Sequence, residues 1–287
     1  MEKLLDILHR TASLLEANGV EDSRLNAELI LCEVLKYERL NLYLNFEQPL
    51  KESEIEKVNQ MVYRRLKKEP LQYIIGHTNF YGYRIFLSPD VLIPRPETEI
   101  LVEKILEFIK HSNKKNLHIV EAGTGSGCIV VAIAGELEKL GFEYNIYAMD
   151  SSDAALKLAR NNIIVNNLNS DKIRFQKVDV LKMESIPDAC DIFVSNPPYI
   201  SFKEFLHLSE EIKLYEPEQA LTDGADGLTF YRKFFSLLRD KHNIIGFFEI
   251  GATQKPFLME ILNTAGIKNF YFYKDYNNLD RVLKIEL

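Results

Sequence analysis

Four consecutive residues, Asn196-Pro197-Pro198-Tyr199, predict a stiff turn that could hold a planar nitrogen group. They follow the apolar run DIFVS, which we expect to be a strand, and two prolines cannot extend a sheet. The side-chain oxygen of Asn196 and the carbonyl of Pro197 could accept both hydrogens of an amide or aromatic amine. Pro198 would fix the loop, and Tyr199 could stack on the planar group. Taken alone the tetrad could be only a rigid turn, but its residue types indicate catalysis by positioning and preorganised electrostatics.

A second segment, EAGTGSG at 121–127, places glycines and small polar residues between a strand pattern and a helical pattern. Its glycines let the backbone turn sharply and approach a ligand without a Cβ clash. The spacing is GxGxG rather than the GxGxxG of dinucleotide folds, and no basic residue lies nearby, which favours a ligand without phosphates. The amino-acid moiety and ribose of S-adenosylmethionine suit such a loop, with Glu121 close to the ammonium. We expect cofactor contacts from Gly123, Thr124, Gly125, Ser126 and Gly127.

Two acidic residues follow the next two predicted strands. Asp150 ends NIYAMD, a position from which a carboxylate can accept both ribose hydroxyl hydrogens. Asp179 follows the third strand, and Val180 beside it can offer a backbone N–H and an apolar wall to an adenine. Each residue alone could be an ordinary capping or turn residue. Together with the glycine loop and Asn196 they indicate a cofactor site at the carboxyl edge of an open α/β sheet.

Strand and helix patterns alternate from residue 97 onward, which predicts a parallel sheet covered on both faces. The last two strand patterns, NFYFYKD and RVLKIEL, are joined by a short turn and predict an antiparallel pair at one edge. The predicted fold class is α/β: a Rossmann-like S-adenosylmethionine-dependent methyltransferase domain, with a small N-terminal helical bundle and a connecting β-hairpin.

The domain boundaries follow from changes in these patterns. Residues 1–75 show amphipathic helical spacing and predict a helical domain, whose third helix should end at Pro70. Residues 76–96 alternate aromatic and polar positions and predict a β-hairpin linker, so that 97–287 would be the methyltransferase domain. At the start of that domain, Thr98 is a candidate N-cap.

The PRPETE segment, which includes Thr98, also carries Arg95, Glu97 and Glu99. We expect these three residues near the ligand edge of the sheet, although the segment could instead be a simple joint between domains.

Composition excludes several classes of protein. The net charge is −7 and the pI about 5.5, whereas polyanion binding usually needs a basic footprint. No apolar run approaches the roughly 18 residues of a membrane span, and the acidic start is unlike a signal or transit peptide. The three cysteines are far apart and the histidines form no metal motif. We therefore expect a cytoplasmic protein with no metal, disulfide or membrane partner.

The residues alone leave the acceptor open among adenine N6, cytosine N4 and glutamine Nε2. Further stretches that span most of the chain are PLQYIIG, FYG, VLIPRPETEILV, EAGTGSG, NPPYI, YEPEQAL, DGADGL, FEIGATQ and DRV. On these stretches the chain resembles the peptide chain release factor glutamine N5-methyltransferase family, the HemK-like (PrmC) enzymes. One departure is Glu121-Ala122, where Asp-Leu is more usual; the extra methylene changes the contact of the carboxylate but not the place of the site.

The resemblance implies methylation of the glutamine in the Gly-Gly-Gln tip of bacterial-type release factors, with S-adenosyl-L-methionine as cofactor. By position, the loop from Gly123 to Gly127 and the residues Asp150, Val180 and Asn196 would contact the cofactor, and Asn196 to Tyr199 would hold the glutamine. The N-terminal helices would dock the release factor. We expect a monomer without a direct nucleic-acid partner.

Two other functions stay as alternatives. An amino-methyltransferase acting on adenine or cytosine in DNA would share the NPPY turn, but residues 1–75 contain 11 Lys and Arg against 13 Asp and Glu. A non-catalytic adaptor would not need the glycines, Asp150 and NPPY to be intact. The basic run of Arg64, Arg65, Lys67 and Lys68 could touch a release factor or ribosomal RNA, although a solvated helix face is the favoured interpretation.

Overall fold

A computed structural model of the chain describes residues 2–112 and 114–287 and separates into two units. The first unit contains the residues up to Gly76 together with Glu210–Tyr215, and the second contains His77–Ser209 and Glu216–Leu287. No helix in the described ranges is long and apolar enough to cross a membrane.

The first unit is helical, as predicted, and its helices are Leu4–Ala17 (α1), Ser23–Leu35 (α2), Arg39–Leu44 (α3), Glu52–Leu66 (α4), Leu71–Ile75 (α5) and Glu210–Tyr215 (α10). Helix α1 turns Leu4, Leu8 and Leu15 into the core, while Leu14 is 45% exposed. Pro70 does not end the third predicted helix, because α4 already stops at Leu66 and Pro70 instead stands at the N-cap position of α5.

The basic run at the end of α4 is only partly the solvated face that the sequence predicts. The Arg65 side chain is buried, donates to Asn26 Oδ1 at 2.9 Å and pairs with Glu211 of α10. Lys68 pairs with Glu210 of the same short helix, and Arg64 pairs with Glu69. These ion pairs belong to the packing of the first unit, since α10 brings its acidic residues to the end of α4.

The second unit is built on a seven-stranded sheet in the order β5-β4-β3-β6-β7-β9-β8. Its strands are Asn116–Ala122 (β3), Glu143–Asp150 (β4), Ile173–Lys177 (β5), Ile192–Ser195 (β6), Ile245–Glu249 (β7), Asn269–Lys274 (β8) and Asp280–Glu286 (β9). The five strands from β5 to β7 are parallel, and β9 pairs antiparallel with both β7 and β8. The predicted α/β sheet with an antiparallel edge pair is confirmed.

Helices lie on both faces of this sheet. The helices of the second unit are Thr98–His111 (α6), Cys128–Leu140 (α7), Asp153–Val165 (α8), Phe202–Phe205 (α9), Glu218–Leu221 (α11), Thr229–Leu238 (α12) and Lys255–Thr264 (α13). Successive side chains of β7 point to opposite faces. Phe247 contacts Phe108 of α6, whereas Phe248 stacks on Phe234 of α12. The two helices therefore bury opposite faces of the sheet, which is why β7 is apolar throughout.

The predicted hairpin forms from His77–Phe80 (β1) and Tyr83–Phe86 (β2) and lies within the second unit. The side chain of Asn162 on α8 both accepts from the Phe86 N–H and donates to the Phe86 carbonyl. The Tyr83 ring lies directly over Gly135 of α7, where a Cβ would come within 2.1 Å of its hydroxyl oxygen. The hairpin is thus fixed on α7 and α8.

Candidate functional site

The carboxyl ends of β3, β4 and β6 open onto one cleft at the point where the strand order reverses. Strand β3 pairs in parallel with β4 on one side and with β6 on the other. Open α/β sheets bind ligands in the crevice at such a switch point. The loops after these strands line the cleft with Gly123, Asp150 and Asn196, so the structure brings the predicted strand-end residues together.

The loop after β3 presents its backbone to the cleft. Gly123 and Gly125 have φ of +77° and +53°, the left-handed region that favours glycine. The N–H groups of Gly123 and Thr124 bond to the Met149 carbonyl at 2.8 and 2.9 Å, which ties the loop to β4. A Cβ on Gly123 or Gly125 would meet no protein atom within 4 Å. The loop therefore leaves open space that a closely approaching ligand can fill.

Gly127, a predicted cofactor contact, lies at the packing contact between α7 and α8. It is not among the residues that line the cleft, and a Cβ at this position would lie 2.8 Å from the Cβ of Ala159. Gly127 also has φ of +78° and precedes the first residue of α7. The absence of a side chain thus permits close packing of α7 on α8, while Thr124 and Ser126 line the cleft as predicted.

Glu121 lies beneath the glycine loop rather than in the cleft. Its carboxyl is buried, and Oε2 accepts a hydrogen bond from the Thr124 hydroxyl at 2.5 Å. Within the described residues Oε1 has no hydrogen-bond partner. Burial raises the pKa of Glu121 to about 8, against the opposing effect of the Thr124 hydroxyl. This carboxyl thus favours its neutral form near pH 7, and its hydrogen bond to the Thr124 hydroxyl fixes that side chain of the loop.

The predicted ribose ligand, Asp150, organises two backbone segments at the cleft. Its Oδ2 accepts from the N–H of Gly125 at 2.8 Å, and its Oδ1 accepts from the N–H of Ser152 at 2.9 Å. A carboxylate oxygen has further lone pairs, so both remain able to accept from hydroxyl groups. Asp179 and Val180 line the same cleft, and Asp179 is bonded to Lys182 and to the Leu181 N–H, both of which lower its pKa.

The charge and shape of the cleft fit S-adenosylmethionine. Among the described residues that line it there are three carboxylates, of Asp90, Asp150 and Asp179, and no lysine, arginine or histidine. A cleft of one sign of charge concentrates ligands of the other sign, here a sulfonium and an ammonium. Leu92 and Phe230 add apolar walls suited to an adenine. Sequence reasoning missed Asp90, Leu92 and Phe230, since nothing in their local pattern separates them from loop and core residues.

The NPPY turn follows β6, and its first three residues line the cleft. The Asn196 Nδ2 donates to the Thr98 hydroxyl oxygen at 3.2 Å, which leaves Asn196 Oδ1 as the free acceptor of that side chain. Pro197 is buried and Pro198 half-buried. Tyr199 is not among the residues that line the cleft; its hydroxyl donates instead to Oε1 of Glu249 at 3.2 Å.

Residues from two distant loops hold this turn in place. The Gln254 side-chain amide donates to the carbonyls of Tyr199 at 2.9 Å and Gly227 at 3.0 Å, and its oxygen accepts from the Gly251 N–H. Gly227 itself packs so closely that a Cβ would lie 2.3 Å from the Tyr199 oxygen. Neither Gln254 nor Gly227 was assigned a role from sequence, because only tertiary structure brings them to the turn.

The PRPETE segment contributes structure more than ligand contacts. Thr98 is the first residue of α6 rather than its N-cap, a position taken by Glu97 without a side-chain capping bond. Arg95 pairs with the buried carboxylate of Glu216. Glu99 accepts from the Tyr81 N–H at 2.7 Å and so holds the hairpin turn, away from the predicted ligand edge. Of the segment's residues, Pro94 and Thr98 line the cleft.

Within the described part of the chain, no three His, Cys, Asp or Glu side chains are grouped so that they could hold a metal ion. All three cysteines are buried and free of disulfides. Burial raises the pKa of the Cys128 thiol, next to the glycine loop, to about 12. A thiol with such a pKa is a poor nucleophile at neutral pH. The groups of the cleft that can bind a ligand are therefore its backbone and its polar side chains.

Two models of known protein families match this chain, one in each unit. Residues 6–76 match the PrmC N-terminal domain, and residues 113–247 match a methyltransferase domain. The METTL16 methyltransferase domain has a TM-score of 0.50 and 18% identity, covers 90% of this chain and 92% of its own, and shows the fold alone.

Two bacterial relatives named release factor glutamine methyltransferase align along most of their length. The one from Thermodesulfovibrio yellowstonii is 39% identical over 266 residues, 91% of both chains. The one from Clostridium botulinum is 37% identical over 287 residues, 98% of both chains. With this identity and coverage, the chain belongs to the release factor glutamine methyltransferase family, whose catalytic domain is an S-adenosylmethionine-dependent methyltransferase.

Proposed function

We propose that this chain transfers a methyl group from S-adenosylmethionine to the side-chain amide nitrogen of the glutamine in the Gly-Gly-Gln motif of peptide chain release factors. The observation that carries the proposal is the orientation of Asn196 at the rim of the cleft. Because its Nδ2 bonds to Thr98, its Oδ1 is the atom available to an incoming amide. The names of the relatives support glutamine as the acceptor.

The chemical problem is that an amide nitrogen is a poor nucleophile, since its lone pair is delocalised into the carbonyl. Asn196 Oδ1 and the Pro197 carbonyl would accept the two amide hydrogens and favour positive charge on the nitrogen as the new bond forms. Both acceptors belong to a turn that is fixed before substrate binds, so little reorganisation is needed in the transition state. The cofactor supplies the methyl group as an electrophile on its sulfonium.

The cofactor would be held by the residues predicted for it. The backbone of Gly123 and Gly125 would approach its amino-acid moiety, Asp150 would accept from the ribose hydroxyls, and Val180 would contact the adenine. Fixing donor and acceptor in one cleft supports in-line attack and supplies much of the rate enhancement. After transfer the methylated amide is cationic and strongly acidic, so its proton can pass to water without a dedicated base.

We assign residues 1–75 to release-factor docking, 76–96 to a β-hairpin linker and 97–287 to methyl transfer. We further propose that the protein acts as a monomer in the cytoplasm and without direct nucleic-acid contact. The net charge of −7 supports this, because a protein that neutralises several phosphates normally presents a basic surface. The unpaired, buried cysteines suit a reducing compartment.

The proposal is tested by incubating the protein with methyl-labelled S-adenosylmethionine and, in parallel, a bacterial release factor, the same factor with its Gly-Gly-Gln glutamine replaced by glutamate, and duplex DNA. We expect label on the unmodified factor alone. The glutamate variant is a close control, since it keeps the side-chain shape but removes the nitrogen. Label in DNA, or equal label on both factors, would overturn the proposal.

A further inference from the structure

Each end of the NPPY turn is held by a side chain that lies outside the motif. At one end Asn196 Nδ2 donates to Thr98 Oγ1 at 3.2 Å, and at the other the Tyr199 hydroxyl donates to Glu249 Oε1 at 3.2 Å. Thr98 is the first residue of α6, and Glu249 is the last residue of β7. Strand β7 pairs with β6 up to Ser195 and Phe248, so Glu249 lies directly beside the start of the turn.

The Thr98 hydroxyl is the hydrogen-bond partner of the Asn196 side-chain nitrogen. The two ends of an asparagine side chain are nearly equal in shape, and only their hydrogen-bond partners distinguish the oxygen from the nitrogen. A hydroxyl at position 98 can accept from Nδ2, whereas a methyl group could not. Thr98 is 2% exposed, so water does not readily replace it. Without the hydroxyl, Asn196 could turn its nitrogen toward the cleft and present a donor where an acceptor is needed.

Glu249 holds the Tyr199 end of the turn. Its carboxyl is 1% exposed, and its backbone carbonyl accepts from the Tyr231 hydroxyl at 2.6 Å, which fixes the end of β7. Burial raises the pKa of Glu249 to about 7, while Thr98, Arg281 and Tyr199 act in the opposite direction by favouring its charged form. The Tyr199 hydroxyl bonds to Oε1 of this carboxyl, and within the described residues its Oε2 has no hydrogen-bond partner. Burying a carboxyl with so few hydrogen-bond partners costs folding free energy, so its presence here calls for a specific explanation.

We propose that Thr98 and Glu249 are positioning residues for methyl transfer: Thr98 orients the Asn196 amide so that its oxygen faces the acceptor nitrogen, and Glu249 anchors the Tyr199 side of the same turn. Neither residue needs to touch the reacting atoms, since each acts through a member of NPPY. The inference rests on the proposed function, because it concerns the geometry that binds a glutamine amide.

The first test compares Thr98→Val, which has nearly the shape of threonine but no hydroxyl, with Thr98→Ser, which keeps the hydroxyl. Valine should lower kcat for release-factor methylation by about 10- to 100-fold with a small change in KM, because the misplaced group acts in the transition state. Serine should restore kcat to within about threefold of the unmodified enzyme. Thr264→Val is the control: it removes a hydroxyl at the end of α13 that bonds within its own helix, to the Glu260 carbonyl, and should leave kcat unchanged.

The second test uses the Tyr199–Glu249 pair and does not depend on how Thr98→Val folds. Tyr199→Phe and Glu249→Met each remove the same hydrogen bond, so each should lower kcat, and the double variant should lose no more than the worse single one. Glu249→Gln keeps an acceptor oxygen and should retain more activity than Glu249→Met. Independent, multiplicative losses would overturn the assignment of Glu249.

These outcomes are distinct from failure of the proposed function. If the unmodified protein does not label a release factor, the proposed function is wrong. If it does so, but Thr98→Val keeps kcat within about twofold, or Thr98→Ser is as impaired as Thr98→Val, then the positioning role of Thr98 is wrong.

Discussion

Replacing Gly227 by alanine should disable catalysis by displacing the NPPY turn. Gly227 has φ of +78°, and its added Cβ would lie 2.3 Å from the Tyr199 carbonyl oxygen and 3.1 Å from the Ser201 nitrogen. Real Cβ atoms essentially never come within 3.0 Å of a non-bonded heavy atom, so the two segments must separate by at least 0.7 Å, the difference between 3.0 and 2.3 Å. Both neighbours are backbone atoms, which cannot relieve the contact by rotating a side chain.

The magnitude of the effect follows from this displacement. A shift of about 1 Å in a catalytic group can cost about 100-fold in rate, so kcat should fall by 10- to about 100-fold. Alanine in the left-handed region costs about 1–2 kcal/mol, and forced overpacking adds about 1–3 kcal/mol to the loss of stability. Cofactor affinity should change little, because Gly227 is not among the residues that line the cleft.

The matched control is Gly224→Ala, which lies three residues before Gly227 and has nearly the same φ. Gly224 has φ of +71°, and its added Cβ would meet nothing within 4 Å. Both variants carry the backbone cost, but only Gly227→Ala moves the turn. Methylation kinetics on a release factor, with thermal unfolding measured beside them, separate the two effects. Equal kcat values for the two folded variants would refute the reasoning.

Three further predictions address the cofactor loop. Asp150→Asn should weaken S-adenosylmethionine binding in calorimetry by about 10- to 100-fold, because one of the two backbone N–H groups that its oxygens satisfy would face an NH₂. Asp153→Asn, at the exposed first residue of α8, should leave this binding unchanged. Gly127→Ala should lower the free energy of unfolding by about 2–4 kcal/mol in urea titrations, against about 1–2 kcal/mol for the uncrowded Gly141→Ala. The pKa of Glu121 is raised from 4.5 to about 8, so between these two pH values the folded state keeps a proton that the unfolded state has lost. The free energy of unfolding should therefore fall as pH rises through this window, by up to about 1.4 kcal/mol per pH unit. Glu121→Gln, which cannot ionise, should flatten this slope.

Local chemistry explains why the sequence predicts that the glycine loop, Asp150 and the NPPY turn lie at one edge of the sheet. The glycine loop and the NPPY turn directly follow strands and Asp150 ends one, and parallel strands bring their carboxyl ends to one edge of the sheet. Glycine spacing and paired prolines restrict the backbone by themselves, so their meaning survives without tertiary information. The antiparallel edge pair of β8 and β9 was likewise predictable from two apolar runs and a short turn.

The residues that support the turn could not be predicted in this way. Thr98 is 98 positions from Asn196, and Gln254 is 55 positions from Tyr199, so no local pattern links them. Threonine at a helix start also has an ordinary interpretation as a cap, which the structure does not bear out. Helix α10 was missed as part of the first unit, because six residues carry too little periodicity to show which partner they pack against.

The central claim is that two oxygens of a fixed turn activate an amide nitrogen beside the cofactor. Its most direct test is the single-turnover rate of methyl transfer by Asn196→Ala at saturating S-adenosylmethionine and release factor. By analogy with removing one preorganised contact to a transition state, we expect the rate to fall by about 100- to 1000-fold, with cofactor binding largely kept. A rate close to that of the unmodified enzyme would contradict the claim.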